Sequence, residues 1–518
     1  MRVSPRFVLG PVLALLAFPA CAVQHDASSP DDGDGTTQNE GNVQSEAEAL
    51  GTSSTPGIAT WASRFSMGGY AWAILDDAAD GSGGVVVLGR YGGQLTIDPA
   101  TGASTTMQTD NPGADWDFDT FLARFDASGA LSWIRTVPFT GYEPMKVAAD
   151  PAGGIVLLAT HAGDITFAGC PTLPRNNSNY WPFLAKLDAA GTCKWIRDLP
   201  HSGGDQQTGP RAVDVTIDGA GNVLVAGRYS GQLDFGGGVA ISGNNYYVYV
   251  AKLGSADGTP VWARTFGDPS TPPRNPASKG APPENEFGQM VHALAADAAG
   301  NVTLVGNFYD TIAFDDATRT ASGKSVFVVR YDSEGNENWS RALGTDADVS
   351  HVAMMPTGEA VVGGTFLGDV AFGTSTQSNT GTSRDVWLVK YDATGRAMWS
   401  KRVWGSATMA VAGLAFDSYG QTDVAVAFGG GTAHVGGAGF NTGNARSFIA
   451  KLGVKTGGVV WSKPYGVGTT STVTISGLAV SPTDEIYAGG AYGGSPTLGS
   501  GGVKLPLGPT MFVARFMH

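Results

Sequence analysis

Short apolar segments with the period of β-strands recur along the chain after residue 57. Between Ala212 and Phe266 four of them, "AVDVTID", "VLVAGRY", "YVYVAKL" and "PVWARTF", are rich in Val, Tyr and Phe, and turn-forming residues such as "GAGN" separate them. Runs of this length with β-branched and aromatic residues, bounded by Gly and Asn, are typical of strands. The pattern therefore predicts a unit of four strands, A to D.

This unit occurs seven times. A tryptophan recurs at intervals of 60 to 77 residues, followed each time by a segment like "VLVAGRYSGQLDF" and then by a segment like "FLAKLD". The seven tryptophans are Trp61, Trp133, Trp195, Trp262, Trp339, Trp399 and Trp461. Three independent series with seven members each indicate a repeat architecture. Seven four-stranded units predict an all-β fold, a seven-bladed β-propeller over residues 58–518.

The two ends of the repeat array predict how the ring closes. The last copy supplies strands A, B and C, ending at "MFVARF" (Met511–Phe516), and has no strand D. The array begins with a strand D that lacks its own A, B and C, "IATWASRF" (Ile58–Phe65). We expect this first strand to complete the last blade, so that strand pairing seals the ring.

Asp-x-x-Gly turns join the strands within most copies, as at Asp218, Asp297, Asp332 and Asp392. An Asp side chain can accept a hydrogen bond from the backbone two residues on, and Gly adopts the left-handed conformation that a tight hairpin needs. We interpret these carboxylates as turn residues rather than as catalytic groups or metal ligands. The repeated tryptophan is expected to pack between neighbouring blades.

The copies resemble the bacterial SBBP-type β-propeller repeat, whose pattern is "D..GNV.V.G.Y.G.LDF…FVAKLD..G…W". The resemblance covers residues 58–518 and weakens in the sixth copy, where Val426 and Gly453 replace the B-strand glycine and the turn Asp. It implies a propeller and an exported protein, and it implies no particular activity.

Two turns have a second resemblance. "KLGVKTGGVVW" (Lys451–Trp461) and "KLGSADGTPVW" (Lys252–Trp262) resemble the tryptophan-docking turns of quinoprotein dehydrogenases and of outer-membrane assembly lipoproteins. Those families usually carry Asp where Gly453 and Gly254 stand, and they have eight blades. This resemblance implies, as an alternative function, a scaffold in outer-membrane assembly or a quinoprotein-like enzyme.

The N-terminus has the pattern of an export signal. Arg2 and Arg6 precede the apolar stretch Phe7–Phe18, which is too short to span a bilayer as a helix. The following "FPAC" resembles the lipobox of bacterial lipoproteins, which predicts a signal peptide over residues 1–21 and lipidation of Cys21. The rival interpretation is cleavage after "ACA", which would remove Cys21. The predicted address is the outer membrane or cell surface, or the medium if Cys21 is not lipidated.

Residues 22–57 predict a disordered acidic linker, because they hold seven acidic residues, no Lys or Arg, and almost no large apolar side chains. The net charge of the whole chain is −14. An acidic protein without a basic run is not expected to bind nucleic acid, or to meet a membrane except through an N-terminal lipid. We expect a monomer.

Enzyme signatures are missing from the sequence, which contains no H-E-x-x-H, G-x-S-x-G or P-loop. We therefore predict no catalytic residues, no metal and no cofactor; a lyase or hydrolase remains the less favoured alternative. His292 and His351 come at nearly equivalent places early in strand A of adjacent blades. A metal pair is one interpretation of these residues, and two solvated or hydrogen-bonded histidines are the favoured one.

The B–C and D–A connections share one face of the predicted propeller and carry nearly all of its length variation, so binding is expected there. Aromatic residues and Arg commonly anchor interfaces, and the candidates on this face are Trp116, Tyr142, Tyr180, Trp181, Arg211, Arg274 and Trp404. The predicted partner is a surface protein or a glycan. Cys170 and Cys193 are the two cysteines after Cys21. Cys170 follows strand B of the second copy and Cys193 lies in its C–D turn, so the sequence leaves open whether they are close enough to form a disulfide.

Overall fold

The structure is a computed structural model that describes residues 56–518 apart from 68–72, 110–117, 138–144, 151, 162, 175–180, 200–210, 269–287, 316, 345, 373–374, 442–445, 467–470, 500 and 509. Within these residues every regular element is a β-strand. The part of the chain that is described contains no helix long and apolar enough to cross a membrane. Residues 1–55, with the predicted signal peptide, Cys21 and most of the acidic linker, lie outside the described residues.

The strands form seven antiparallel four-stranded blades. Their bounds in chain order are β1 (Ala59–Met67), β2 (Ile74–Ala79), β3 (Val85–Gly92), β4 (Gln94–Asp98), β5 (Thr105–Gln108), β6 (Phe118–Phe125), β7 (Leu131–Val137), β8 (Lys146–Ala149), β9 (Ile155–His161), β10 (Trp181–Leu187), β11 (Cys193–Asp198), β12 (Arg211–Ile217), β13 (Val223–Gly236), β14 (Val239–Leu253), β15 (Pro260–Phe266), β16 (Gln289–Ala296), β17 (Val302–Ala313), β18 (Thr318–Tyr331), β19 (Glu337–Leu343), β20 (Ala347–Met354), β21 (Ala360–Phe366), β22 (Gly368–Phe372), β23 (Ser375–Asn379), β24 (Asp385–Tyr391), β25 (Ala397–Trp404), β26 (Thr408–Phe416), β27 (Thr422–Gly429), β28 (Thr432–Val435), β29 (Ala438–Asn441), β30 (Ser447–Leu452), β31 (Val459–Tyr465), β32 (Thr472–Val480), β33 (Ile486–Gly493) and β34 (Thr510–Phe516).

Strands A to D of blades 1 to 6 are β2-β3-β6-β7, β8-β9-β10-β11, β12-β13-β14-β15, β16-β17-β18-β19, β20-β21-β24-β25 and β26-β27-β30-β31. Blade 7 is β32-β33-β34-β1. Each strand A contacts strand A of the two neighbouring blades, and these contacts run once around the ring and return from β32 to β2. The predicted seven-bladed propeller is confirmed.

The predicted closure is confirmed as well. β1 pairs antiparallel with β34, with Trp61 opposite Arg515 and Phe65 opposite Met511. The backbone N–H of Gly57 donates to the carbonyl of Met517 at 2.9 Å. The first strand of the propeller therefore completes the last blade as its strand D.

The predicted roles of the tryptophans and the turn carboxylates are confirmed. Trp195 Nε1 donates to the carbonyl of Ser255 in the C–D turn of the next blade, at 3.2 Å, and its ring packs on Gly258 of that turn. Asp218 accepts the backbone N–H of Asn222 at 2.8 Å. Asp218 also pairs with Lys252 of strand C, at 2.9 Å. These residues hold each blade and each seam together, which accounts for their repetition.

The B–C connections of blades 1, 3, 4, 5 and 6 fold into β-hairpins, which the sequence analysis did not predict. The β4–β5 hairpin pairs through β4 with β1, the outer strand of blade 7. The β28–β29 hairpin of blade 6 likewise pairs with β25, the outer strand of blade 5. In blade 3 the hairpin is a continuation of β13 and β14. These hairpins cover exposed strand edges, a known hazard for aggregation, so they have a structural role at the rim.

Candidate functional site

The central channel of the propeller is lined by strand A of each blade, and one position in this strand is equivalent all around the ring. A β-bulge interrupts β2, β12, β16, β20, β26 and β32. In every blade one residue of strand A pairs with the fourth residue of strand B. In the six blades that have a bulge, this residue comes directly after the bulge. These seven residues, here called the channel ring, are Asp76, Lys146, Asp214, Ala293, His351, Gly413 and Gly477.

Charged side chains occupy the channel ring in blades 1, 2 and 3. Lys146 Nζ lies 3.5 Å from Asp76 Oδ1. The other carboxylate oxygen of Asp76 accepts the backbone N–H of Val147 in the next blade, at 2.9 Å. Asp214 makes the equivalent contact, accepting the N–H of Leu294 in blade 4 at 3.0 Å. The carboxylates thus bridge successive A strands and stand on either side of one lysine.

The environment of this acid–lysine–acid group shifts its pKa values. Burial raises the pKa of Asp76, against the opposing effect of Lys146. Burial also raises the pKa of Asp214 to about 6, again opposed by Lys146. Asp76 is the main cause that raises the pKa of Lys146, so the lysine is charged at neutral pH. The Lys146 side chain is 34 % exposed, which leaves its ammonium accessible from the channel.

The two channel histidines are not equivalent. His351 occupies the channel ring, whereas His292 lies on the bulge of β16, one residue earlier in register. Burial, helped by the charge of Lys146, lowers the pKa of His351 to about 3, so its ring is neutral. His351 Nδ1 lies 2.8 Å from the hydroxyl of Ser350. The described residues contain no group of three or more side chains able to hold a metal ion.

The candidate binding residues do not form one patch within the described chain. Trp116, Tyr142, Tyr180 and Arg274 lie outside the described residues. Trp181 begins strand β10 and is only 3 % exposed, so it belongs to the core of blade 2 and does not offer an exposed anchor.

The remaining two candidates lie at strand ends. Arg211 is the first residue of β12 and is half-buried opposite Arg228. Trp404 is 44 % exposed at the end of β25. Its ring stacks on His434 of the blade 6 hairpin, with centroids 4.1 Å apart. Of the predicted anchors that are described, Trp404 is the exposed one.

Cys170 and Cys193 form a disulfide, with their Cα atoms 5.1 Å apart. Cys193 begins strand D of blade 2, and its N–H donates to the carbonyl of Ala168 at 3.1 Å. The B–C connection therefore folds back down the outside of the blade, which brings Cys170 from one end of the blade to the other. The disulfide fastens this connection to the outer strand.

Comparison with known proteins identifies no family for this chain. No protein-family model matches the sequence, and no curated protein matches it. Solved structures that match include the quinohemoprotein alcohol dehydrogenase from Comamonas testosteroni, at 11 % identity over 88 % of this chain and 76 % of that chain, with a TM-score of 0.37. BamB from Moraxella catarrhalis matches at 12 % identity over 88 % of this chain and 100 % of its own, with a TM-score of 0.38. An ulvan lyase of a new polysaccharide lyase family matches at 9 % identity over 84 % and 92 %, with a TM-score of 0.39. The resemblance to the SBBP-type repeat stays a prediction.

Proposed function

We propose that this protein is an exported, lipid-anchored binding module that captures a surface protein or a glycan on the face of the propeller where strand D connects to strand A. One observation carries the proposal: the longest D–A connections and the charged part of the channel ring lie on the same side of the ring.

The D–A connections differ sharply in length. Three residues suffice between β19 and β20 (344–346) and between β25 and β26 (405–407). The connections into blades 2, 3 and 4 have eight (138–145), 12 (199–210) and 22 residues (267–288). Because a three-residue link can join two blades of this propeller, the additional residues are not needed for closure. Long connections on a rigid scaffold are where binding residues concentrate.

Two of these three connections end at strands that carry charges of the channel ring. The connection 138–145 leads directly into Lys146, and 199–210 leads into β12, which carries Asp214. Blades 4, 6 and 7 have Ala or Gly at the equivalent positions. A ligand that enters the channel beneath the long connections would meet the Lys146 ammonium and two carboxylates, whereas the opposite side of the ring offers no charge.

The N-terminal attachment is compatible with this face being presented outwards. β1 begins opposite Phe516, at the end of strand C, so Gly57 lies on the face of the A–B and C–D turns. The segment before Gly57 therefore leaves the propeller on the face opposite the D–A connections. A lipid on Cys21 would thus be attached, through the linker, on the turn face, which leaves the D–A face free of the attachment.

Capture on intact cells tests the proposal. In the main variant, segments 138–144, 200–210 and 269–287 are each replaced by Gly-Ser, which keeps the buried ends Met145, Leu199 and Asp268. The matched control is Tyr419→Ser, which removes a side chain that is 67 % exposed on an A–B turn. We expect crosslinking to recover a partner with the wild type and the control, and to recover none with the shortened variant at unchanged thermal stability.

Purified protein is also added to cells that lack it, after these cells have been treated with protease, which removes a protein partner, or with periodate, which removes a glycan, so the two partner classes are separated. Capture that survives shortening of the D–A connections and is lost in Tyr419→Ser would refute the proposed face.

A second candidate, catalysis in the channel, is favoured by the acid–base character of the ring. A carboxyl with a pKa of about 6 beside a lysine suits proton transfer at neutral pH. This alternative predicts that Asp214→Asn preserves the capture of a glycan and abolishes its turnover. If Asp214→Asn weakens capture and no turnover occurs in the wild type, the residue contributes to binding instead.

A further inference from the structure

Asp77 is a buried carboxyl at a position where the other six blades carry an aliphatic side chain. Asp77 is the residue after Asp76, the channel-ring residue of blade 1. In every blade the residue after the channel-ring residue pairs with the third residue of strand B. The six equivalents of Asp77 are Val147, Val215, Leu294, Val352, Leu414 and Leu478. Folding of the repeat therefore does not require a carboxyl here.

The carboxyl lies in the seam between blades 7 and 1. A Cβ added to Gly477, the channel-ring residue of blade 7, would overlap Asp77 Oδ1, and one added to Gly489 would lie 3.6 Å from the same oxygen. Blade 7 thus presents two glycines to the carboxyl. Any larger side chain at position 477 would exclude it, so the two positions are complementary.

Neither oxygen of Asp77 has a hydrogen-bond partner within the described residues, although both are buried. The nearby Ser476 hydroxyl is directed at the carbonyls of Ile74 and Gly489, at 3.4 and 3.5 Å. A buried carboxylate without a partner is costly, and the neutral acid is much less so. The geometry therefore favours a protonated Asp77 in the closed ring.

The charges that face Asp77 act in opposite directions. Asp76, on the same strand, repels a second negative charge, and Lys146, on β8, attracts one. Gly477 and Gly489 of blade 7, which lie against the carboxyl, carry no charge. Burial is the largest effect and Asp76 the next, and together they raise the pKa of Asp77 to about 8.

We propose that Asp77 makes the seam between blades 7 and 1 a proton-dependent seal: the neutral carboxyl packs against Gly477 and Gly489, and its ionisation loosens the ring at this seam. The seam is adjacent to the blade that the first strand completes. For a protein exposed to the medium, as proposed above, external pH would act on the seal directly, but the seal itself does not depend on that function.

The sign of the pH effect follows from the two states. An unfolded Asp releases its proton near pH 4, whereas Asp77 in the closed ring holds its proton up to about pH 8. Between these values the folded state binds one proton more than the unfolded state. Its stability therefore falls as pH rises, by a factor of about ten in the folding constant per pH unit, and the fall ends above the folded pKa.

The test compares the wild type with Asp77→Asn, which keeps the shape of the side chain and cannot ionise, and with Asp369→Asn, which changes an exposed carboxyl in the β22–β23 hairpin. Denaturant unfolding is measured from pH 5 to 9. We expect the folding constant of the wild type to fall more steeply with pH than that of Asp77→Asn. The ratio of the two constants should change by about tenfold per pH unit up to pH 8. Asp369→Asn should follow the wild type.

Hydrogen exchange locates the effect. With exchange times corrected for intrinsic pH dependence, the wild type should lose protection in β2 and β32 between pH 7 and 9, and Asp77→Asn should retain it. If Asp77→Asn does not fold, Asp77→Val, which restores the side chain of three other blades, takes its place. Equal pH slopes in wild type and variant, or a loss of protection confined to other seams, would overturn the proposal.

Discussion

Trp61 and Trp461 offer a test of how much the docking hydrogen bond of the repeated tryptophan contributes. Both side chains are 8 % exposed, and both pack on a glycine with positive φ. A Cβ added to Gly129 would lie 2.7 Å from the Trp61 ring, and one added to Gly57 would lie 2.9 Å from the Trp461 ring. The packing of the two rings is therefore closely matched.

The two indoles differ in their hydrogen bonds. Trp61 Nε1 donates to the carbonyl of Ala127 at 3.0 Å. Trp461 Nε1 is buried and has no acceptor within the described residues. The acceptor elsewhere lies in the C–D turn of the next blade, two or three residues before the packed glycine, whereas the equivalent residues before Gly57 lie outside the described residues.

Substitution of each tryptophan by Phe removes the N–H and the same volume in both places. At Trp61 the change also removes a hydrogen bond with a net contribution of about 1 kcal/mol. At Trp461 it removes a buried donor that has no acceptor among the described residues, which restores about 1–3 kcal/mol. We therefore expect Trp61→Phe to lower the free energy of unfolding by about 2–4 kcal/mol more than Trp461→Phe does.

Urea unfolding followed by far-UV circular dichroism measures the difference, because tryptophan fluorescence would itself change with the substitution. Trp195→Phe is the matched control: its Nε1 donates to Ser255, and it should behave like Trp61→Phe. Equal losses at Trp61 and Trp461, within about 0.5 kcal/mol, would show that the docking hydrogen bond contributes nothing measurable to the seam.

Three further outcomes are expected. Deletion of Ile58–Phe65 should lower the free energy of unfolding by more than about 3 kcal/mol, because it removes an inner strand of a six-stranded sheet. Deletion of residues 22–50, which hold few large apolar side chains, should hardly change this free energy. Equal losses in the two deletions would contradict the predicted closure of the ring. Cys21→Ala should move the protein from the detergent phase to the aqueous phase in a phase-partition assay, and a wild type that is wholly soluble, with its N-terminus after residue 22, would exclude lipidation. Replacing Cys170 and Cys193 by Ser should lower the free energy of unfolding by about 3 kcal/mol, since the disulfide closes a loop with a sequence separation of 23 residues. If reductant leaves the unfolding midpoint of the wild type unchanged, the disulfide does not stabilise the protein.

The architecture could be predicted from the sequence because each blade repeats the same strand pattern and turn chemistry. The hairpins at the rim were not predicted, although the end of the repeated B-strand segment, as in "GQLDF", forms their first strand at β4 and β22. A local signal does exist in blade 3, where Gly236, Gly237 and Gly238, all with positive φ, separate two β-rich segments. Recognising it would also have suggested how Cys170 reaches Cys193 in blade 2, because a connection that folds back along its own blade joins the two ends.

The equivalence of the channel-ring residues can be derived from the sequence, but it was not predicted. These residues become visible only when the copies are aligned on the A–B turn, four residues before Asp80, Asp150 and Asp218. The same alignment separates the two histidines, since His351 precedes its turn residue Met355 by four positions and His292 precedes Asp297 by five. The burial that raises the pKa of Asp214 could not have been derived in this way, because it depends on how neighbouring blades pack.

The charged residues that break the sevenfold equivalence of the channel lie together in blades 1 to 3, and folding of the repeat does not require them there. A repeat that needed only to pack would carry the same small or aliphatic residues at every channel position, as blades 4, 6 and 7 do at the channel ring. Blades 1 to 3 instead hold Asp76, Lys146 and Asp214, and the neighbouring Asp77 has no hydrogen-bond partner among the described residues. Buried charge is tolerated in a protein at a cost, and replacing it by aliphatic residues is often neutral or stabilising. Blades that fold without these charges show that the scaffold permits such a replacement, and this is why the proposed function assigns the charged channel-ring residues of blades 1 to 3 to a ligand.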